Sequence, residues 1–261
     1  MSRRIIHVHP KKGLGQHFLR SKETAARIVD ALRATDRDMI IEVGAGTGEL
    51  TRLIIKKAGK VVAVEVDEAC FPTLEVLADL NDNLELFLDD VRRLKLSDYP
   101  GALVLGNLPY HLSAQILFWL IEQRGFWKAA VLTVQAEFAD RLAAAPGSAD
   151  YSALSVVSGT FLTAKKIMDI PASAFKPRPR VTSSTVRLEP KASVELPCGE
   201  QEYIRFVRSC FAHRRKTLVN NLKMMGIDEP ASIIRKSGYN ETVRPQELSA
   251  DEYIKLCSAV I

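Results

Sequence analysis

An amide, two backbone carbonyls held out of any helical ladder, and a phenol ring follow one another at Asn107, Leu108, Pro109 and Tyr110. Pro109 fixes its own φ and biases Leu108 away from the helical region, so the carbonyls here stay free to accept hydrogen bonds. The Asn107 amide oxygen, with the Leu108 or the Pro109 carbonyl, can take both protons of an exocyclic amine, while Tyr110 offers a stacking face. That is a holder for a planar nucleobase bearing an amino group. Taken alone, Asn-x-Pro-Tyr is more often a strand-to-helix turn with a proline stop. Its meaning rests on the turns upstream.

Three of those turns carry chemistry of their own. Met39–Val43 reads as a buried strand, and Gly44-Ala45-Gly46-Thr47-Gly48 as the turn that opens a helix over 49–57. Glycines let a ligand approach the backbone, and a helix N-terminus presents unpaired N–H groups. Glu49 stands where a dinucleotide fingerprint needs its third glycine, which disfavours a nicotinamide or flavin. The next strand (61–65) ends in Glu65, placed to take both hydroxyls of a ribose, with Val66 beside it. The strand-like 84–88 runs into Asp89-Asp90-Val91, where Asp90 can accept from an adenine amine. One such carboxylate is usually a solvated strand end. Three successive strand ends with this chemistry, and Asn-Leu-Pro-Tyr after the fourth, form a far rarer coincidence. In open α/β sheets ligands bind outside those carboxyl ends, so all four turns face one crevice.

S-adenosylmethionine fits such a crevice: adenine at Asp90, ribose at Glu65, and the amino-acid end at the glycine turn (Gly44, Gly46) and a Gln16-His17 arm. Its sulfonium methyl is already a strong electrophile. An adenine N6 is a weak nucleophile because its lone pair is delocalised into the ring. Accepting both of its protons favours pyramidalisation and localises that pair. The expected contribution of the site is therefore positioning and electrostatic preorganisation, with no Ser/His/Asp arrangement. The target base must be unstacked to enter, and Tyr110, with Phe175 as a second wall, replaces its lost neighbours.

The elements that must position these groups are legible in outline. Ser21 is an N-cap candidate ahead of Ala25, Ile28, Val29 and Leu32 at helical spacing. Apolar strands at 103–105 and 129–134 alternate with helices that begin near Ala114 and Gln135. A further helix is expected over 151–162, a strand at 165–170, and a last strand at 181–188. Between these last two lies Phe175-Lys176-Pro177-Arg178-Pro179-Arg180, a proline-stiffened basic loop. The segment 189–199 reads as a linker, and helices are expected over 203–221, 230–236 and 250–260. The predicted organisation is an α/β, Rossmann-like methyltransferase domain over 1–190, with an N-terminal arm, and a small all-α domain over 191–261.

Net charge is +5 and the pI is near 9.0, which favours a polyanionic partner. The candidate nucleic-acid contacts are Lys11 and Lys12 on the arm, Arg178 and Arg180 on the loop, and Arg214, Arg215 and Lys216 on a basic helix. Cys70, Cys198, Cys210 and Cys257 show no Cys-x-x-Cys spacing, so no metal site or disulfide framework is expected. No apolar run approaches the roughly 18 residues of a membrane span, and the chain reads as cytoplasmic and monomeric.

Several segments together resemble the KsgA/Dim1 family of small-subunit ribosomal RNA adenine dimethyltransferases. They are Gly15-Gln16-His17-Phe18-Leu19, 42–48, 65–67, 107–110, Gln135-Ala136-Glu137, 175–181 and 214–218. The resemblance runs over nearly the whole chain. It implies N6,N6-dimethylation of two adjacent adenines near the 3′ end of 16S rRNA, with S-adenosylmethionine as donor and an immature 30S subunit as substrate. It places cofactor contacts at His17, Leu19, Gly44, Glu65, Asp90 and Asn107, and Val66 and Val91 join the candidate set from the same motifs. The chain departs from the family pattern at Leu14, at His17 (where asparagine is frequent) and at Ser152-Ala153. Two rivals are the sister 23S rRNA adenine methyltransferases of macrolide resistance and a DNA adenine-N6 methyltransferase. A third is a pre-30S assembly factor whose binding matters more than its catalysis.

Overall fold

The computed structural model describes Lys11 and residues 15–261, so Lys12 and Leu14 lie outside the described residues. The chain enters with a two-residue strand, Phe18–Leu19 (β1), and a helix, Lys22–Ala31 (α1). Ser21 caps that helix as its position predicts, its hydroxyl accepting from Thr24 N at 3.2 Å. Ile28, Val29 and Leu32 are buried from the same helical spacing.

Next come Met39–Val43 (β2), Thr51–Ile54 (α2), Lys60–Val64 (β3), Phe71–Ala78 (α3) and Leu84–Phe87 (β4). Ala102–Asn107 (β5), Ser113–Glu122 (α4), Trp127–Gln135 (β6) and Ala136–Ala143 (α5) follow. The apolar runs of β2, β3 and β5 are almost wholly buried, as expected of strands covered on both faces. Helix α2 is shorter than the expected 49–57, because Gly46 and Gly48 hold positive φ and the chain turns through 50 before it can wind.

Beyond α5 lie Ala153–Phe161 (α6), Leu162–Ile170 (β7), Phe175–Lys176 (β8) and Ser183–Pro190 (β9). The main sheet has the order β4-β3-β2-β5-β6-β9-β7, and β1 pairs separately with β8. Strands β4, β3, β2, β5 and β6 run parallel, while β9 lies antiparallel to β6. The last strand therefore inserts between β6 and β7, and β7 forms the sheet edge.

Strand order reverses between β2 and β5, the switch point where open α/β sheets bind ligands. Val43 sits opposite both Val64 and Gly106, and Val64 opposite Phe87. This register brings the residues after β2, β3 and β4, together with Asn107, to one edge of the sheet.

The C-terminal segment contains Glu200–Cys210 (α7), Leu218–Met224 (α8), Pro230–Lys236 (α9) and Ala250–Val260 (α10). The single helix expected over 203–221 is broken. Asn221 is buried and donates to the carbonyls of His213 and Thr217, and its Oδ1 accepts from His213 N. Thr217 caps a new helix through Asn220 N. These side-chain bonds satisfy a turn over 211–217 that a continuous helix would otherwise span, so Arg214, Arg215 and Lys216 sit on a turn.

The chain forms two compact units. One runs through Ala139 and resumes over Lys165–Pro190; the other comprises Asp140–Ala164 and Lys191–Ile261. The chain thus passes between units three times, at 139/140, 164/165 and 190/191. Within the second unit α6 is tied to the C-terminal helices. Thr160 Oγ1 and the Tyr203 hydroxyl lie 2.9 Å apart, the Phe161 and Tyr203 rings meet edge to face at 6.3 Å, and the Tyr151 hydroxyl donates to Leu248 O at 2.9 Å. Among the described residues no helix is long and apolar enough to cross a membrane.

Candidate active site

The turns after β2, β3, β4 and β5 surround one cleft, closed on its remaining side by residues 15–19. Every candidate cofactor residue lines it: Gln16, His17, Leu19, Gly44, Gly46, Glu65, Val66, Asp90, Val91 and Asn107. Leu108, Pro109 and Tyr110 line it as well.

Backbone geometry dictates the glycine turn. Gly46 has φ +56°, and a Cβ there would stand 3.1 Å from Phe18 Cε1. The Gly46 amide donates to Glu65 Oε2 at 2.6 Å, and Oε1 accepts from Val66 N (2.9 Å) and Asp67 N (2.8 Å). Glu65 is thus anchored across two turns. Burial nonetheless holds its carboxyl above the usual range, with the three amides opposing. Val66 beside it is 55% exposed, an apolar patch on the rim.

Two buried carboxyls escaped the sequence reading as site residues. Glu42 is 1% exposed within β2, accepts from Thr51 Oγ1 at 2.6 Å and lines the cleft. Burial pushes its pKa up to about 8. A carboxylate inside an otherwise apolar, fully covered strand was the available signal. Asp67, 2% exposed, takes Lys11 Nζ on Oδ1 (2.6 Å) and Gln16 Nε2 on Oδ2 (2.7 Å). Burial alone would raise its pKa, but the hydrogen bonds from Lys11 and Gln16 outweigh it and the carboxyl titrates low.

These bonds revise two expectations. Lys11, a candidate RNA contact, spends its charge on Asp67. Gln16 stands at the cleft with its amide committed, since Oε1 also accepts from Lys11 N at 2.9 Å. At the β4 turn, Asp90 caps the turn over 91–93 through Arg92 N (2.9 Å) and pairs with the Arg92 guanidinium, which holds its pKa down.

At the β5 turn Asn107 Nδ2 donates to His17 O at 2.9 Å. Leu108 N donates to Thr133 O at 3.0 Å, and the Pro109 carbonyl accepts from Leu112 N at 2.9 Å. The Tyr110 hydroxyl lies 2.7 Å from Ser183 Oγ, and its ring stacks on His17 at a centroid distance of 5.5 Å and 27°. Burial raises the Tyr110 pKa, against the Ser183 hydrogen bond.

Phe175 is elsewhere. Its ring is 3% exposed in the core, because β8 pairs antiparallel with β1 and sets Phe175 opposite Leu19. It is not a wall of the cleft. Arg178 and Arg180 are exposed on the loop that follows. In the second unit Arg215 and Lys216 are exposed, whereas the Arg214 guanidinium donates to the carbonyls of Ser148 and Ala149.

A family model described as ribosomal RNA adenine dimethylase matches residues 8–260. The chain belongs to the ribosomal RNA adenine dimethylase family. One relative, the ribosomal RNA small subunit methyltransferase A of Shouchella clausii, is 37% identical over 96% of this chain and 89% of its own. Among solved structures, a dimethyladenosine transferase from Plasmodium falciparum superposes with a TM-score of 0.81 at 26% identity, covering 92% of this chain and 96% of its own. The 23S rRNA methyltransferase ErmE, at 22% identity, shares the fold with a TM-score of 0.73 over 93% of this chain and 99% of its own. The chain therefore has a mostly parallel α/β methyltransferase fold, with a helical C-terminal segment.

Proposed function

We propose that this protein transfers methyl groups from S-adenosylmethionine to N6 of two adjacent adenines near the 3′ end of 16S rRNA. Its substrate is then the immature 30S subunit in the cytoplasm, met by a monomer. The observation that carries the reading is the orientation of Asn107. A carbonyl only accepts, so the amide nitrogen faces His17 O and Oδ1 is left as an acceptor in the cleft.

The residues present suit the donor. A glycine turn without side chains (Gly44, Gly46), a buried and anchored carboxylate (Glu65), an apolar rim (Val66, Val91) and Asp90 follow one another around the cleft. The glycine turn would hold the amino-acid end, Glu65 the ribose, and the apolar rim with Asp90 the adenine. When bound, S-adenosylmethionine supplies an electrophilic methyl on sulfur.

The chain's own part is to present the nucleophile. Asn107 Oδ1 accepts a hydrogen bond from one N6–H. Leu112 N already occupies the Pro109 carbonyl, so the Leu108 carbonyl accepts from the other. Both bonds strengthen as N6 becomes cationic and pyramidal, which is transition-state stabilisation by preorganised acceptors. Tyr110 supplies the stacking surface, fixed at its hydroxyl by Ser183. No side chain need act as nucleophile. In the second unit, Arg215 and Lys216 are exposed cations suited to phosphates, as are Arg178 and Arg180 in the first.

The deciding experiment offers labelled S-adenosylmethionine with immature 30S particles or, separately, with protein-free 23S rRNA. Uptake into 30S, recovered as dimethyladenosine at two adjacent positions, is expected. Uptake only into 23S rRNA would transfer the protein to the reading suggested by the ErmE fold.

A further inference from the structure

We infer that Cys198 and Cys257 are a redox-sensitive pair, whose disulfide, made by an oxidant of the glutathione-disulfide class, staples the helices of the second unit. Neither residue lines the cleft, so the inference stands apart from the methylation reading.

The spacing of the four cysteines announces no such pair; the fold of the second unit makes it. Cys198 and Cys257 are 59 positions apart in the chain, yet their sulfurs lie 3.7 Å apart, in contact. Each side chain leaves a firmly placed backbone. Cys198 stands between Pro197 and Gly199, the residue that caps α7. The Gly199 carbonyl accepts from Glu202 N at 3.0 Å and Tyr203 N at 2.9 Å. Cys257 lies one turn beyond Tyr253 on α10, whose first turn is closed by reciprocal bonds between Ser249 and Glu252. Tyr253, Leu256 and Cys257 are all buried, and α10 packs on α7. Sulfurs already in contact reach bonding distance through small side-chain rotations.

The two thiols differ in access, and that sets the order of events. Cys198 is half-buried, whereas Cys257 is fully buried. Burial, and after it the hydrogen bond and charge of Cys198, push the Cys257 thiol up to about 12. Cys198 therefore meets the oxidant first. It gives its proton to water, and its thiolate attacks one sulfur of glutathione disulfide. That S–S bond breaks, a mixed disulfide forms at Cys198, and a glutathione thiolate leaves. The Cys198 sulfur then carries neither proton nor charge, which removes its share of the Cys257 upshift. Cys257 loses its proton to water and attacks Cys198 Sγ, and the second glutathione thiolate departs. The cysteine pair loses two electrons in all, and one glutathione disulfide becomes two thiols.

The bond encloses α7, α8, α9 and most of α10, so it joins the start of the C-terminal helical segment to its end. Closing that loop restricts the unfolded chain and stabilises the folded unit. With one sulfur half-exposed, the bond stays open to reduction by thiols, as suits a sensing disulfide in a reducing compartment.

The test incubates the folded full-length protein with glutathione disulfide, quenches in acid and maps the peptides by mass spectrometry. The expected product has lost two hydrogens and keeps two alkylatable thiols of the original four. It yields one cross-linked peptide pair containing Cys198 and Cys257, and dithiothreitol restores all the thiols. The Tm of the oxidised form should exceed that of the reduced form by roughly 5 °C or more. This comparison uses one sequence in two redox states, so no variant has to fold. Cys257→Ser should stall with glutathione on Cys198, and Cys198→Ser should form no cross-link. Wild-type protein that stalls with glutathione on Cys198, links Cys210 to Cys257 or keeps every thiol overturns the inference. A Cys198–Cys257 bond that leaves the Tm unmoved overturns it as well, because the bond is then no staple.

Discussion

Asn107 and His17 stand 90 positions apart, yet the amide of the first donates to the carbonyl of the second at 2.9 Å. The bond joins the end of β5 to the arm before β1 and decides which atom of Asn107 faces the cleft. Neither residue alone reveals it.

Removing that acceptor should affect chemistry before binding. Asn107→Ala is expected to lower methyl transfer by roughly 100-fold or more, the usual scale for losing one preorganised partner of the developing charge. Binding of 30S particles, followed by filter retention, should remain largely intact. Equal loss of both would mean that site and docking surface are not separable.

Glu65 should matter to the donor. Glu65→Ala removes one charge-assisted interaction, on the order of 1.5–3 kcal/mol, or roughly a 10- to 150-fold weaker S-adenosylhomocysteine Kd. The same change strips the acceptor from the amides of Gly46, Val66 and Asp67. Calorimetry with an unchanged Kd would remove Glu65 from the cofactor site.

Glu42 gives stability a pH dependence of defined sign. Its carboxyl titrates near 4.5 when unfolded and is pushed up to about 8 by burial. Between those values the folded protein holds one proton more than the unfolded chain, so stability falls as pH rises. The slope reaches about 1.4 kcal/mol per pH unit for one group. Glu65, also raised, adds in the same direction. Glu42→Gln should flatten the fall, read as urea midpoints at several pH values between the two pKa values. Parallel curves for wild type and variant would refute the assignment.

Association with the ribosomal particle should weaken as salt is added, because binding to phosphates releases counterions. Arg215→Ala with Lys216→Ala should reduce the slope of log K against log salt by about 1 for each phosphate left without its cation. Arg214→Ala should act mainly on the fold of the second unit, where its guanidinium holds the carbonyls of Ser148 and Ala149. A slope untouched by the double change would put the footprint elsewhere.

The parallel sheet and its four chemical turns were legible in residues 39–110 because strand, turn and carboxylate are local patterns. What escaped were facts fixed by side-chain bonds and pairings that carry no periodic signal. The burial of Phe175 follows from a two-residue ladder with β1 that no periodicity announces. The helix break at 211–217 depends on Asn221 folding back onto His213. Lys11 looks like a free cation until Asp67, distant in sequence, is brought against it.

The threading of the chain through its two units sets a limit on dissection. A fragment ending at 190 would still carry Tyr151, Thr160 and Phe161, but not the Leu248 carbonyl or the Tyr203 ring that meet them. Apolar surface and hydroxyls would be bared together. A stop codon there should yield an aggregating polypeptide rather than a minimal methyltransferase; a separable piece would require excising residues 140–164 as well.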